Sequence, residues 1–344
     1  IPSPRILLPA LLKVRPTIML SVPIVMEKIY RNKILPALTS SPFRAWLYHT
    51  KLGKKILNRL AGKQLKKTFG GNLKFFGLGG SKTDTVVEKF LRDAKFPYAI
   101  GYGLTETSPL IADSPAYQSI PGWIGYAVPG VEVKIDNPDP KTGIGELLVK
   151  GPNVMKGYYR DPELTKNAFT EDGWFKTGDL FMMDKKGHLA IKGRSKNMIL
   201  GSSGENIYPE DIEFVINQHP LVTESLVVEG EKSSLVAYVH LDEEKLAAEI
   251  QKTQNQNNEG SAIQNLQSAV ADAVSGFADA MTYKRAEILN EIKFFVNSNV
   301  NKMSRIDKIE QVDAFEKTAS QKIKRYLYNL TNRDKKEPEA LAER

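Results

Sequence analysis

One stretch constrains this chain more than any other. Thr177 to Glu213 reads TGDLFMMDKKGHLAIKGRSKNMILGSSGENIYPEDIE. Leu180 to Asp184 and His188 to Gly193 flank a Lys185-Lys186-Gly187 turn, which predicts a β-hairpin. The centre, Gly193 to Asn197, is polar and charged. A short apolar run, Met198-Ile199-Leu200, and a Gly/Ser loop follow. Pro209 then marks a first helical turn, with Glu210, Asp211 and Glu213 near its positive end. A sheet module ends here and a new α/β module begins. The residues alone leave two readings equal: an ordinary domain boundary, or a hinge with functional groups on both sides.

At 344 residues the chain can hold two domains. Its 41% apolar and 26% charged residues are ordinary for a globular protein, so neither disorder nor a membrane bundle is indicated. No run approaches the roughly 20 apolar residues of a spanning helix. The absence of Cys excludes disulfides, thiolate catalysis and Cys-based zinc sites, and fits a reducing cytosol. His49, His188, His219 and His240 show no metal-ligand spacing.

The net charge of +8 is unevenly placed. Arg44, Lys51, Lys54, Lys55, Arg59, Lys63, Lys66 and Lys67 fall between Ser41 and Gly70 without one acid. Trp46, Leu47, Leu52, Ile56, Leu57 and Leu60 interleave with them near helical spacing. Two readings stand: a solvated helix packing its apolar side inward, or a helix lying on an anionic membrane surface, peripheral on its inner face. No nucleic-acid module accompanies the charge, so nucleic acid is not expected as a partner.

Along the chain, a Pro-rich opening leads to a strand over Thr17 to Val22 and a helix over Ile24 to Leu35, with Ile24, Val25, Ile29 and Ile34 inward. Leu73 to Ser81 reads as a buried strand ending in Gly79-Gly80-Ser81, where backbone can approach a flat ligand. It is not a GxxxxGK[ST] phosphate loop, because Lys82 follows Ser81. Asp84 to Ala94 is expected as helix and Pro97 to Ile100 as a strand feeding Gly101 to Thr107, GYGLTET. There Tyr102 offers a ring for a purine, Thr105 a hydroxyl for phosphate oxygens and Glu106 a hard carboxylate for Mg²⁺. Short strands follow at Val131 to Ile135 and Gly145 to Lys150. Asp179 can accept two hydroxyl hydrogen bonds, as a ribose diol requires, or can be a plain turn residue. Arg194 is a forked permanent cation, for a ligand or for a surface salt bridge.

Past the boundary, a helix is expected over Pro209 to Gln218, strands over Leu221 to Glu229 and Leu235 to Leu241, and a helix over Glu243 to Ile250. A polar, amide-rich segment leads to a helix over Ala269 to Asn299 and a strand over Lys308 to Phe315. FEKTASQKIKRYLYNL precedes a charged tail, 332–344, expected to fray.

Taken in order, GGS, YGLTET, TGD, GRSK, GENIYP and QKIKR resemble the core motifs of AMP-forming acyl-CoA synthetases. These belong to the acyl/aryl-CoA ligase, peptide-synthetase adenylation and luciferase superfamily. VPIVMEKIY, Val22 to Tyr30, is similar to the segment bordering the acyl pocket in the long-chain fatty-acid branch. The resemblance implies an α/β fold: residues 1–195 as the C-terminal part of a large nucleotide- and acyl-binding domain with a small distorted β-barrel, and 196–331 as a small mobile α+β domain. It implies ATP, Mg²⁺ and CoA as cofactor and substrates, and a fatty acid as partner. Gly79, Gly80, Ser81, Tyr102 and Gly103 would lie at adenine, Asp179 at ribose, Arg194 at ribose or phosphate, Thr105 at phosphate and Glu106 on the metal. Lys196 would be the hinge, and Gly201, Ser202, Ser203, Gly204, Glu205 and Asn206 would line the approach of the CoA thiol. Lys322 would be the catalytic lysine; Glu316 and Gln321 replace the Pro and Gly of that motif, while Ile323 and Arg325 fit it. The phosphate loop of such enzymes would lie upstream of Ile1. Rival expectations are an adenylating enzyme for another acid or for a carrier protein, and a non-catalytic membrane-associated fragment. A thioesterase lacks support, since no Ser/His/Asp constellation accompanies the motifs.

Overall fold

The computed structural model describes residues 4–201, 203–247, 285–318 and 322–329. The chain divides into two compact units, Ile1–Ser195 and Lys196–Arg344.

The first unit opens with helix α1 (Pro4–Val14) where the Pro-rich opening suggested no element. Strand β1 (Ile18–Ser21) follows, then α2 (Pro23–Ile29), a π turn over Tyr30–Ile34 and α3 (Leu35–Leu38). Met26, Tyr30, Ile34 and Leu38 form the buried stripe, and the wider π turn keeps this four-residue spacing on one face. Ile24 and Val25, expected inward, are 47% and 42% exposed: Pro23 and Met26 take the core side of that turn.

The basic segment forms two helices, α4 (Pro42–His49) and α5 (Lys51–Thr68). Ser41 and Thr50 cap them by accepting from the backbone N–H groups of Arg44 and Gly53, which sets the break at Thr50. Strand β2 (Phe75–Leu78) leads to α6 (Thr85–Asp93), capped by Asp84 through the Val86 N–H at 2.7 Å. Strand β3 (Tyr98–Tyr102) runs two residues further than expected, so Tyr102 ends a strand. Short strands β4 (Ala112–Asp113) and β5 (Tyr126–Ala127) complete a sheet of order β1-β2-β3-β4-β5, parallel across its first three strands and antiparallel beyond.

A second sheet is an antiparallel meander of β6 (Glu132–Asp136), β7 (Gly145–Lys150), β8 (Phe175–Met183) and β9 (Leu189–Arg194), with helix α7 (Pro162–Ala168) between β7 and β8. This is the region expected as a small distorted barrel; register shifts in β7–β8 and β8–β9 bend it, and β6 and β9 are its edges. A bridge between Gly125 and Leu189 ties it to the first sheet. Leu78, Phe90, Ile111, Leu147, Phe181 and Leu189 share one core between the sheets and helices.

In the second unit β10 (Ile199–Leu200) and β11 (Asn206–Ile207) pair as a small hairpin, and α8 (Pro209–Ile216) follows directly. Strands β12 (Val222–Glu229), β13 (Leu235–Leu241) and β14 (Lys308–Gln311) form a mixed sheet. β14 ends four residues short of the expected strand end, Phe315. One sheet face packs Val227, Ala237 and Val239 on Ile212 of α8 and on Ile288, Ile292 and Val296 of a helix over 285–299. The other face packs Leu226, Val228, Val236 and Tyr238 on Phe315. Both faces are covered, which explains the unbroken apolar runs Leu226 to Val228 in β12 and Leu235 to Val239 in β13. The expected helix start at Ala269, the amide-rich segment and the tail 332–344 lie outside the described residues.

Candidate functional site

In the first unit the end of β3 meets the β8–β9 hairpin. Thr177-Gly178-Asp179 forms a bulge opposite Leu147, where the β7–β8 register shifts. Gly178 has φ +69°, a left-handed conformation that glycine adopts at little cost, and its N–H donates to Glu146 at 2.8 Å. The Thr177 hydroxyl donates to the Leu147 carbonyl at 2.8 Å and accepts from the Asp179 N–H at 3.1 Å. The bulge aims Asp179 at Tyr102, whose hydroxyl donates to Oδ2 at 2.7 Å, and Arg194 Nε meets Oδ1 at 2.8 Å. Asp179 and Arg194 are direct cross-strand partners in β8–β9.

This geometry qualifies two of the expected roles. Tyr102 is 9% exposed and packs on Phe181 with centroids 4.7 Å apart, which leaves little of its ring for a purine. Burial, reinforced by the neighbouring Asp179 carboxylate, holds the Tyr102 hydroxyl well above its ordinary pKa, so it stays a donor. Asp179 is 2% exposed and has both oxygens engaged. A ribose diol reaching it would share lone pairs with Tyr102 and Arg194. Arg194, with a side chain 47% exposed, is the accessible member.

Gly79 and Gly80 follow β2, and Gly80 has φ +92°. A Cβ on Gly79 would come within 3.2 Å of the Gly101 carbonyl, and one on Gly103 would overlap the Pro109 carbonyl, so the backbone is closely apposed here. Ser81 is exposed. Thr105–Thr107 is a 3₁₀ turn closed by the Leu104 N–H donating to the Thr107 hydroxyl at 3.0 Å; Thr105 is exposed and Glu106 half-buried. The loop after β7 clamps this turn: Met155 N–H donates to the Glu106 carbonyl at 2.7 Å, Tyr158 hydroxyl donates to Glu106 Oε1 at 3.1 Å, and Asn153 donates to the Thr107 and Leu110 carbonyls. Tyr158 and Asn153 carry no sequence signal of this role; only the tertiary contact finds them.

Among the described residues no cluster of three His, Cys, Asp or Glu side chains could hold a metal.

In the second unit, Gly201 to Glu205 is the turn of the β10–β11 hairpin. Gly201 N–H donates to the Glu205 carbonyl at 2.8 Å, and Gly204 has φ +81°. Ser203, Gly204 and Asn206 are exposed, while Ser202 lies outside the described residues. Lys196 sits in a 3₁₀ turn, Ser195–Asn197, and Asn197 donates to Glu210 at 2.7 Å. Lys322 is exposed on a hairpin closed by a bridge between Lys317 and Ile323. The Thr318 N–H donates to the Lys322 carbonyl at 2.8 Å. Two ion pairs hold this hairpin: Lys317 with Glu224 at 2.7 Å, and Arg325 with the half-buried Glu213 at 2.6 Å. The substituted Gln321 lies outside the described residues.

The mixed α/β fold is that of the adenylate-forming class. The comparisons with known proteins agree. The family model described as AMP-binding enzyme matches residues 2–159. Over 279 residues the chain is 33% identical to the long-chain-fatty-acid–CoA ligase FadD15 of Mycobacterium bovis, covering 76% of this chain and 45% of that protein. It is 38% identical over 203 residues to a long-chain-fatty-acid–CoA ligase of Escherichia coli, covering 57% of this chain and 35% of that one. ATP-bound MatB from Rhodopseudomonas palustris superimposes with a TM-score of 0.61 at 25% identity, over 96% of this chain and 54% of that one. The chain belongs to the AMP-binding family of adenylate-forming ligases. It spans about half the length of the curated relatives it matches.

Proposed function

We propose that this chain is part of an AMP-forming ligase that activates a long-chain fatty acid and transfers it to CoA. The observation that carries the proposal is the Tyr102–Asp179–Arg194 constellation, buried at Tyr102 and Asp179 and open at Arg194, with Tyr102 three residues before the Thr105–Thr107 turn. In the first step a carboxylate oxygen attacks the α-phosphorus of ATP, and pyrophosphate leaves with the electrons of the broken P–O bond. The product is a mixed anhydride, acyl-AMP. In the second step the CoA sulfur adds to the acyl carbon, the thiol proton is released and AMP departs.

The chain's contribution is positioning and charge stabilisation. Gly79, Gly80, Ser81 and Gly103 let backbone approach adenine beside Tyr102. Asp179 and Arg194 orient the ribose and adjoining phosphate. Thr105 donates to phosphate oxygens, and Glu106, aligned by Tyr158, supplies one oxygen to Mg²⁺, which would neutralise phosphate charge. Lys322 neutralises charge around the carboxylate and α-phosphate. Rotation about Lys196 then exchanges Lys322 for the Gly201 to Asn206 hairpin, which guides the thiol. The long-chain preference is supported by Val22 to Tyr30 and by the relatives' names. A rate profile over acids of increasing length tests it; a preference for short or aromatic acids, or for a carrier-protein acceptor, would favour the other adenylating reading.

Two outcomes are expected of the full-length protein. Lys322→Ala lowers acyl-AMP formation, read as pyrophosphate exchange, by about 10²–10³, the usual effect of losing a preorganised transition-state charge. Its use of supplied acyl-AMP changes far less; equal losses in both half-reactions would assign Lys322 a structural role. Lys196→Pro affects the two half-reactions unequally. Lys196 lies in a 3₁₀ turn, a conformation whose usual φ of about −50 to −70° overlaps proline's range, so the substitution should lock the turn, with Ser195 also restricted, leaving acyl-AMP formation and slowing transfer to CoA. Wild-type rates in both half-reactions would remove Lys196 as the pivot.

A further inference from the structure

Helix α5 carries apolar residues on two opposite faces. Its core stripe holds Leu57, Asn58, Ala61, Gly62 and Leu65, and Gly62 lies so close to Ala94 that an added Cβ would collide with the Ala94 carbonyl. Its apolar row, Leu52, Ile56 and Leu60 at four-residue spacing, is 71%, 50% and 58% exposed. At 100° per residue this row points about 180° away from the core stripe. Arg59, Lys63 and Lys67 interleave with the row on the same face and are exposed, and Lys55 lies at its edge. In the preceding helix α4, Phe43 and Trp46 are 68% and 63% exposed, with ring centroids 6.0 Å apart. No acidic residue occurs between Ser41 and Gly70.

We propose that the α4–α5 face docks on an anionic phospholipid surface. Charge complementarity names the occupant: a basic face without acids attracts phosphatidylglycerol- or phosphatidylserine-type headgroups. The exposed Leu/Ile row and the Phe43–Trp46 pair then enter the headgroup–acyl boundary, while the lysine and arginine stems snorkel to the phosphates. A polyanion such as nucleic acid would match the charge but would leave the apolar row in water. No helix among the described residues is long and apolar enough to cross a membrane, so the contact is peripheral. The site is far from the chemistry in kind: it needs no nucleotide and places the protein where a water-insoluble acyl chain resides. It extends the proposed function without depending on it.

The test is sedimentation of the 344-residue chain, and of the longer protein that contains it, with vesicles of phosphatidylcholine alone or with about 30% phosphatidylglycerol, without nucleotide. Binding to the anionic vesicles is expected to be at least about tenfold tighter, and to weaken at 0.5 M salt, roughly where screening shortens to a few ångströms. Lys55→Gln/Arg59→Gln/Lys63→Gln should remove about tenfold of that preference. Leu52→Ser/Ile56→Ser/Leu60→Ser should weaken binding to the anionic vesicles by about tenfold or more, with far-UV circular dichroism unchanged. Brominated lipid should quench Trp46 fluorescence, an effect absent in Trp46→Phe. Equal binding to both vesicle types, no binding to either, or wild-type binding by both triple variants would overturn the proposal. Binding by the 344-residue chain but not by the longer protein would also overturn it, and would make this face an internal interface.

Discussion

Arg325→Met should destabilise the second unit by about 3–5 kcal/mol, the usual cost of removing one partner from a buried ion pair. Arg325 Nη2 lies 2.6 Å from Glu213 Oε1, and its Nη1 donates to the Val227 carbonyl. The two side chains are 18% and 14% exposed, so water compensates little for the loss. Burial pushes the Glu213 carboxyl up, and the Arg325 charge opposes this. Without Arg325, Glu213 keeps only the Val227 N–H, which donates to it at 2.7 Å. The folded-state pKa of Glu213 then rises further above its unfolded value. A group raised in this way favours the folded state at low pH and loses that contribution as pH climbs. The deficit of Arg325→Met should therefore be largest at neutral pH and shrink near pH 5. Adding Glu213→Gln should recover much of it, because the charge left unpaired is gone. Urea unfolding of the three variants at two pH values checks this; a deficit below about 1 kcal/mol at neutral pH, the range of exposed pairs, would mean the bridge is energetically idle. Loosening of the Lys317–Ile323 hairpin should accompany the deficit, since Arg325 follows it by two residues.

Glu88→Gln should stabilise the first unit in a strongly pH-dependent way. Glu88 lies on the core side of α6, 3% exposed. Burial pushes its carboxyl up to about 8; the Gly122 N–H opposes this, the Asp84 charge adds to it and Lys82 reduces it. The linkage sign follows from a folded pKa above the unfolded value of 4.5. Below pH 4.5 the carboxyl is protonated in both states and costs nothing. Between there and about 8 the unfolded chain ionises while the folded one must hold its proton, so stability falls as pH rises. The gap corresponds to an upper bound of about 4–5 kcal/mol, reached above pH 8. Glutamine keeps an acceptor for Gly122 without the titration. Wild type and variant should be nearly equal at pH 4.5 and diverge up to pH 9. Parallel stability curves would show that Glu88 is solvated or charge-compensated.

Local punctuation made much of the fold legible in the sequence. The Lys185-Lys186-Gly187 turn and Pro209 with its following acids each state a backbone requirement within a few residues. β9 therefore sits within one residue of its expected place and α8 starts where expected. The order of motifs from GGS to QKIKR likewise pointed to the family, because each motif is contiguous.

Facing was less legible. Apolar period alone could not tell that α5 turns Leu52, Ile56 and Leu60 outward, nor that Ile24 and Val25 lie outside the stripe of Met26, Tyr30, Ile34 and Leu38. The decisive contacts are remote in sequence: Gly62 against Ala94, and a π turn that resets the spacing. The same holds for the site. The candidate groups proposed for nucleotide chemistry, Tyr102, Thr105, Glu106, Asp179, Arg194 and Lys322, could all be picked out from contiguous motifs. What holds them in place could be seen only in the folded chain. Tyr102 meets Asp179 across 77 positions, Tyr158 meets Glu106 across 52, and Arg325 meets Glu213 across 112. Such pairs have no local signature, because a buried polar group needs a partner but not a neighbour in the chain.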